Sequence, residues 1–418
     1  MPILSRLVTR FILWAVLSLV VWGMPHPAHA DDTLNRFLDQ AMADNPAIVA
    51  ARQRWEAVQA EVPQARALED PTASLTLWSI PSNFDVSETD EVWYGLSQTF
   101  PFPGKRGFRG RAAEQMARAV EQDYLAVQRA VRAQVKQTWA RLYRVQRQIA
   151  VHREHQALLN ELIQSALQRY AVGQATQQES LKAQVELSTL HASLLTLEQE
   201  QQSLRIELNT LAGRPDDPLF FGTAQIDYQS VAAGLDALEA RALDQRPELQ
   251  AAGRMVARQE ETVALARRAW WPDFMTEVSY WDVQDGPNRW MLTGKMTLPW
   301  VAAGKYRAKV AEEVAGRARA AAEVDAVRND TVSRVRDAFL KLNTAQSLIE
   351  LYRGGIIAQA EQGLESARIA YMTGRTDFLN VIDAERRLRD VRLAADVALA
   401  DWAEQRAELE RVVGLDLL

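Results

Sequence analysis

The sequence contains no cysteine. Disulfides, thiolate metal sites and a lipid on an N-terminal cysteine are therefore excluded. Histidine is scarce, and beyond residue 30 only His152, His155 and His191 remain. His152 and His155, three residues apart on a helix, read as a surface pair without an accompanying carboxylate–histidine cluster, so no metal site or cofactor is expected. No stretch beyond residue 30 approaches 18 uncharged apolar residues, so no transmembrane helix is expected, and entry into a membrane would require a β-barrel. No acid precedes Asp31, whereas Arg6 and Arg10 lead into the apolar run Phe11–Met24 and the small-residue site Ala28-His29-Ala30. That pattern predicts a secretory signal peptide over residues 1–30, since the apolar run is short for a membrane anchor. Its removal takes the formal charge from −6 to about −8, which argues against nucleic acid as a partner. Enzyme motifs are missing too. Gly104-Lys105 and Gly304-Lys305 are not phosphate loops: Thr99 and Pro299 stand where the first glycine belongs, and Arg106 and Tyr306 where the hydroxyl belongs.

What is present is organised around Gln98–Arg111, QTFPFPGKRGFRGR. Pro101 and Pro103 suit neither a sheet ladder nor a helix interior, Gly104 permits a sharp turn, and Lys105 opens a long helical run. The same event recurs at Leu298–Lys309, where Pro299 ends an alternating run and Gly304-Lys305 is expected to open a second helix. Other positions match at an offset of 201: Pro46 with Pro247, Pro71 with Pro272, Tyr170 and Gly173 with Tyr371 and Gly374, Gly213 with Gly414. Fixed-period self-similarity is the mark of a duplicated unit. The expected organisation is a leader (1–30), a first repeat (31–213), a connector (214–234) and a second repeat (235–418).

Each repeat reads as helix, two strands, a long helix and a second helix of a hairpin. The first has a helix near Thr33–Leu68, strands near Thr72–Ile80 and Glu91–Phe100, and helices near Lys105–Tyr170 and Gln177–Ala212. The second has a helix near Leu235–Trp270, strands near Phe274–Asp282 and Arg289–Leu298, and helices near Lys305–Met372 and Asp377–Val413, with Gly354-Gly355 as a candidate interruption. A helix over Lys105–Tyr170 would be on the order of 100 Å long at 1.5 Å per residue. Heptad positions run through Leu190, Leu194, Leu197, Gln201, Leu204, Leu208 and Leu211, and through Val391, Ala395, Ala398, Trp402, Gln405, Leu409 and Val412, so side-by-side coiled-coil packing is expected.

The strands have the length that crosses a tilted bilayer path and alternate in polarity. Phe274, Val278 and Tyr280 share one face, Glu277 and Ser279 the other. Trp78, Trp93, Trp270, Trp271, Trp281, Trp290 and Trp300 gather at the strands as candidate interfacial girdles. Four strands do not close a barrel, since the smallest have eight; three copies of four strands make a twelve-stranded barrel with a lumen. A soluble hairpin packed on the helices is the alternative, as is a periplasmic adaptor or structural coiled-coil rod.

In their order, the leader, the duplicated halves, the NPAI start at Asn45–Ile48, the QTFPFPGK junction and the two Tyr-x-x-Gly turns resemble the TolC family of trimeric outer-membrane efflux channels. The resemblance spans the chain beyond the leader. It implies a mostly α-helical homotrimer with a small membrane β part: a twelve-stranded β-barrel among outer-membrane lipid, continued by a long α-helical coiled-coil barrel across the periplasm. It also implies a passive duct of a tripartite system, with a periplasmic adaptor (membrane fusion) protein and a proton-driven inner-membrane pump as partners. The turns around Tyr170, Gly173 and Glu179 and around Tyr371, Gly374 and Arg375 would be the periplasmic tip and meet the adaptor. Asn380 and Asp383 match the family's acidic pore constriction, with asparagine where an acid often stands, and Tyr371 and Glu179 match a latch between hairpins. Thr176 and Asp377 are expected to cap the helices after the turns. QTFPFPGKR and the lack of a lipid-anchor cysteine most resemble heavy-metal channels of the cobalt–zinc–cadmium type. A channel for drugs or secreted proteins is the alternative within the family.

Overall fold

The computed structural model describes residues 30–80, 82, 84–173, 176–284 and 286–416, without the side chains of 30–32, 88 and 179. The leader, apart from residue 30, lies outside the described residues. The element order is α1 (Ala30–Asp44), α2 (Pro46–Arg66), β1 (Thr72–Trp78), β2 (Glu91–Phe100), α3 (Lys105–Ala171), α4 (Gln177–Leu211), α5 (Leu235–Gln245), α6 (Pro247–Arg268), β3 (Phe274–Val283), β4 (Arg289–Met296), α7 (Ala303–Leu351), α8 (Ile357–Met372) and α9 (Phe378–Val413).

The single helices expected before each strand pair are both broken at the proline. Pro46 and Pro247 lack the N–H a helix interior needs but suit a first turn. At the first break Asn45 caps α2, its Oδ1 accepting from the Ala47 amide at 2.9 Å, and Ile48 is buried. The NPAI motif is thus a helix start. At the second, Arg246 makes no side-chain cap and its Nη1 instead donates to Thr331 Oγ1 at 2.8 Å. A π turn at Tyr352–Ile356, containing Gly354-Gly355, separates α7 from α8.

Two compact units divide the chain, and each draws on both sequence halves. One comprises residues up to Ala43 with Gln134–Gln229 and Gln346–Glu404. Its core includes Trp139, whose ring lies 5.4 Å from Phe220 and 6.1 Å from Phe37 and whose Nε1 donates to the Gln225 carbonyl. The segment after α4 is therefore packed onto α3, with Gln146 bonding the backbone of both Gly222 and Ala224. Leu190, Leu194, Leu204, Ala398 and Trp402 of the predicted heptads are buried here.

The other unit comprises Asp44–Ala133, Ser230–Ala345 and Gln405–Leu418 and carries the sheet. The sheet is antiparallel in the order β1-β2-β3-β4. The central pairing, Glu91↔Val283 to Phe100↔Phe274, joins a strand of the first half to one of the second. No helix among the described residues is long and apolar enough to cross a membrane.

Candidate functional site

Cross-strand partners share a face. One face carries Leu75, Tyr94, Leu96, Phe100, Phe274, Val278, Tyr280, Trp290, Leu292 and Met296. Most of these apolar side chains are exposed, Trp290 and Leu292 to 75% each. The opposite face carries Ser74, Thr76, Glu91, Ser97, Glu277, Ser279, Arg289, Thr293 and Lys295, with ion pairs Lys295–Glu277 at 3.1 Å and Arg289–Glu91 at 3.5 Å. An apolar face of this extent left open to the surroundings is what a lipid-facing sheet presents.

The tryptophans divide differently from the girdle expected. Trp290 and Trp300 are exposed, but Trp78, Trp93 and Trp281 lie on the polar face and stack on one another, with rings 5.1 and 4.1 Å apart. Trp271 stacks on Phe102, and Trp270 leans on Tyr306. The polar half of the alternation is thus partly aromatic, because parallel stacking with neighbouring tryptophans hides ring faces that water would otherwise cover.

The two strand–helix junctions are not equivalent. At the first, Gly104 has φ +97, and Lys105 is buried, its Nζ donating to Asp273 Oδ1 and the Trp271 carbonyl, both at 2.8 Å. Asp273 Oδ1 also accepts from the Phe102 amide at 2.7 Å, and the Pro103 carbonyl accepts from Arg268. Pro101 is half-buried beside them. This clamp ties the first junction to the base of β3. At the second, Pro299 is buried at the start of a 3-10 turn, Pro299–Ala302, and the helix begins one residue before Gly304. Gly304 is thus an ordinary helical residue, and Lys305 is exposed over the Tyr306 ring. Gly-Lys opens the helix only at the first junction, where Asp273 receives the Lys105 ammonium.

The turns between hairpin helices follow the glycines. Gly173 (φ +77) and Gly374 (φ +70) adopt the left-handed conformation, the Gly374 amide bonding the Tyr371 carbonyl and the Arg375 amide the Ala370 carbonyl. That pair of bonds is the helix stop which glycine favours. Asp377 caps α9, accepting from the Asn380 amide at 3.1 Å. Thr176 makes no side-chain cap, contrary to expectation. Asn380 is exposed and its amide bonds Thr376 and Asp377, so it braces the cap. Asp383 is exposed one turn on, 3.8 Å from Arg386. Arg375 and Tyr170 are exposed. Tyr371 is buried against Phe378 of its own hairpin and beneath the guanidinium of Arg169 from the first hairpin, so it is not a solvated tip residue. Glu179 lies on α4 with its side chain outside the description.

His155 overturns the surface-pair reading. It is 2% exposed, with Nδ1 against Glu385 Oε2, and Nε2 3.8 Å from Glu186 and 3.4 Å from Arg389. Glu186 in turn pairs with Arg386 at 2.5 Å and Arg389 at 3.2 Å. Hydrogen bonding by Arg386 holds the Glu186 carboxyl below its ordinary value. Burial, helped by Arg389 and His155, holds half-buried His152 below the usual histidine value. The cluster joins α3, α4 and α9, which local sequence patterns do not bring together. Among the described residues no group of metal-donor side chains is placed to hold an ion.

A membrane-length sheet with one apolar and one polar face, carried on a chain of long helical hairpins, is the build of an outer-membrane transport protein. The chain belongs to the outer membrane efflux protein family, whose model matches residues 37–214 and again 238–415. It is therefore an outer-membrane efflux protein of the TolC type. It is 21% identical to the cobalt-zinc-cadmium resistance protein CzcC of Cupriavidus metallidurans, over 93% of this chain and 92% of that protein. Its fold matches the outer membrane protein VceC of Vibrio cholerae (TM-score 0.78, 19% identity, 92% and 97% of the two chains covered). It also matches the channel protein CusC (TM-score 0.80, 17% identity, 91% and 92% covered).

Proposed function

We propose that three copies assemble into a passive exit duct for heavy-metal cations, fed by a periplasmic adaptor and a proton-driven inner-membrane pump. The observation that carries the channel is the two-faced sheet with both edge strands, β1 and β4, free to pair. Closing edge on edge satisfies their backbone groups in lipid and turns the polar face to a lumen. The metal cargo rests on the likeness to the cobalt-zinc-cadmium resistance protein.

The same reading takes 31–213 and 235–418 as two copies of one unit joined by 214–234. It assigns the turns at Tyr170, Gly173 and Glu179 and at Tyr371, Gly374 and Arg375 to adaptor docking. Exposed Val172, Met372 and Leu181 supply apolar contact there. Asp383, with Asn380 one helical turn before it, lines the constriction.

The test is the mass of the detergent-purified protein by light scattering, paired with cobalt, zinc and cadmium tolerance of a deletion strain with and without the gene. A trimer and restored tolerance are expected. A monomer stable without detergent would return the chain to an adaptor or rod. A trimer with unchanged metal tolerance but lost drug tolerance would replace the cargo.

A further inference from the structure

The two ends of the sheet carry opposite charge. At the end where the helices join, residues 66–71, 101–111, 264–273 and 297–309 hold ten cationic residues and three acids. At the loop end, residues 79–91 and 282–289 hold six acids and one cation. The cross-strand partners Phe100, Phe274 and Met296 form an exposed apolar rung at the helix end. Leu298, Trp300 and Val301 follow Met296 in the chain and are exposed too, as is Trp271 just before Phe274. The cations come next, as a collar on the starts of α3 and α7 and the end of α6. Lys105, Arg111 and Lys309 are held by Asp273, Glu261 and the pair Glu312 and Glu313. Arg109, Arg267, Lys305 and Arg307 are exposed and have no ion pair among the described residues. The first turn of α7 holds no acid, so Lys305 adds to a helix dipole that is already positive there. Over α6 the collar opens into a groove of about 610 Å³, walled by Phe108 of α3, Trp271 and Val314 of α7. Its one acid, Glu260, is taken by Arg317 at 2.8 Å, which leaves Arg267 and Arg268 as uncompensated charge in the groove. All of its walls come from one copy of the chain.

We propose that this collar binds an anionic phospholipid of the periplasm-facing leaflet, its headgroup phosphate on Arg267 in the groove and its acyl chains on the exposed apolar rungs of the sheet. The proposal rests on the membrane-embedded sheet and on neither the cargo nor the number of copies. An outer-membrane protein of this family extends into the periplasm, so the helix end of its sheet meets the leaflet on that side. A guanidinium meets phosphate oxygens with two parallel hydrogen bonds, and indole rings rest at headgroup level. Lipid is favoured over a free anion because the cations continue an exposed apolar surface, and only an amphiphile covers both. An anionic headgroup is favoured over a zwitterionic one because the groove offers cations without a free acid to receive a headgroup amine.

The test is native mass spectrometry of the full chain in dodecyl maltoside, titrated with phosphatidylglycerol or with phosphatidylcholine of the same acyl chains, each with and without sodium phosphate. Phosphatidylglycerol is expected to be retained in preference, and sodium phosphate to leave it in place. Arg267→Gln is expected to weaken phosphatidylglycerol binding about fivefold, which corresponds to about 1 kcal/mol for one cation at an anionic surface. Arg267→Lys is expected to keep the preference for the anionic lipid. Arg328→Gln removes the same charge from an exposed site on α7, on the order of 40 Å along the helix from its start at 1.5 Å per residue, and is expected to change nothing. Equal retention of the two lipids, or an equal loss in Arg267→Gln and Arg328→Gln, would overturn the site. Displacement by sodium phosphate would overturn the lipid in favour of a free anion. Light scattering on the same sample separates the failures. A protein that needs detergent yet is indifferent to phosphatidylglycerol overturns the collar and leaves the membrane sheet standing, whereas a monomer stable without detergent overturns both.

Discussion

A lysine in the same local motif has two fates in this chain. Lys105 is buried against Asp273 and a carbonyl, and Lys305 is exposed. Asp273 keeps 28% of its side chain exposed and still accepts from the Phe102 amide, so losing the buried ammonium costs about 1–3 kcal/mol, whereas an exposed substitution usually stays within about 0.5 kcal/mol. Lys105→Ala is therefore expected to lower the thermal unfolding midpoint sharply and Lys305→Ala hardly at all, measured by intrinsic tryptophan fluorescence in detergent. Equal effects would refute the difference between the junctions.

The elements carry two further expectations. On β4 adjacent residues face opposite ways, so register alone separates lipid from lumen. Leu292→Arg on the apolar face is expected to cost about 2–4 kcal/mol at mid-bilayer depth, and Thr293→Arg on the polar face little. Urea titration after refolding into lipid vesicles measures both, and a larger loss for Thr293→Arg would invert the assignment of faces. Between the hairpin helices, pH is the lever. His152 sits below its unfolded value of 6.5 because its charged form is disfavoured by burial and by Arg389. The unfolded chain therefore binds the extra proton first, and stability falls as pH drops below 6.5. Glu186 is depressed below 4.5 by Arg386, so its contribution is complete above 4.5 and is lost as pH falls through its folded value. Two successive losses on acidification are expected in thermal melts, and His152→Gln is expected to abolish only the upper one.

For the whole molecule, the proposed trimer places Asp383 of each copy around one axis, where like charges attract cations. Asp383→Asn is expected to raise the concentration of divalent cation needed to block single channels in planar bilayers. An unchanged blocking concentration would place Asp383 outside the constriction. Its exposure beside Arg386 leaves the carboxylate accessible, which such a role requires.

Periodicity and repetition made the architecture legible from the sequence. Strand alternation in β3 and β4, the heptads of α4 and α9, and the left-handed glycines at 173 and 374 are each set by residues a few positions apart, where backbone sterics and one-sided burial act locally. Strands of membrane-crossing length that alternate in polarity pointed to a barrel. The tertiary structure decided what depends on partners far along the chain. Lys105 found Asp273 while Lys305 stays exposed over the Tyr306 ring. His155 was buried by Glu385 and Glu186 rather than left at a surface. Trp78, Trp93 and Trp281, which the sequence offered only as candidates for an interfacial girdle, stack on one another on the polar face. Local pattern sets which face a residue has, but only the strand register and helix packing set what that face meets, because those contacts are made between residues that the chain itself keeps apart.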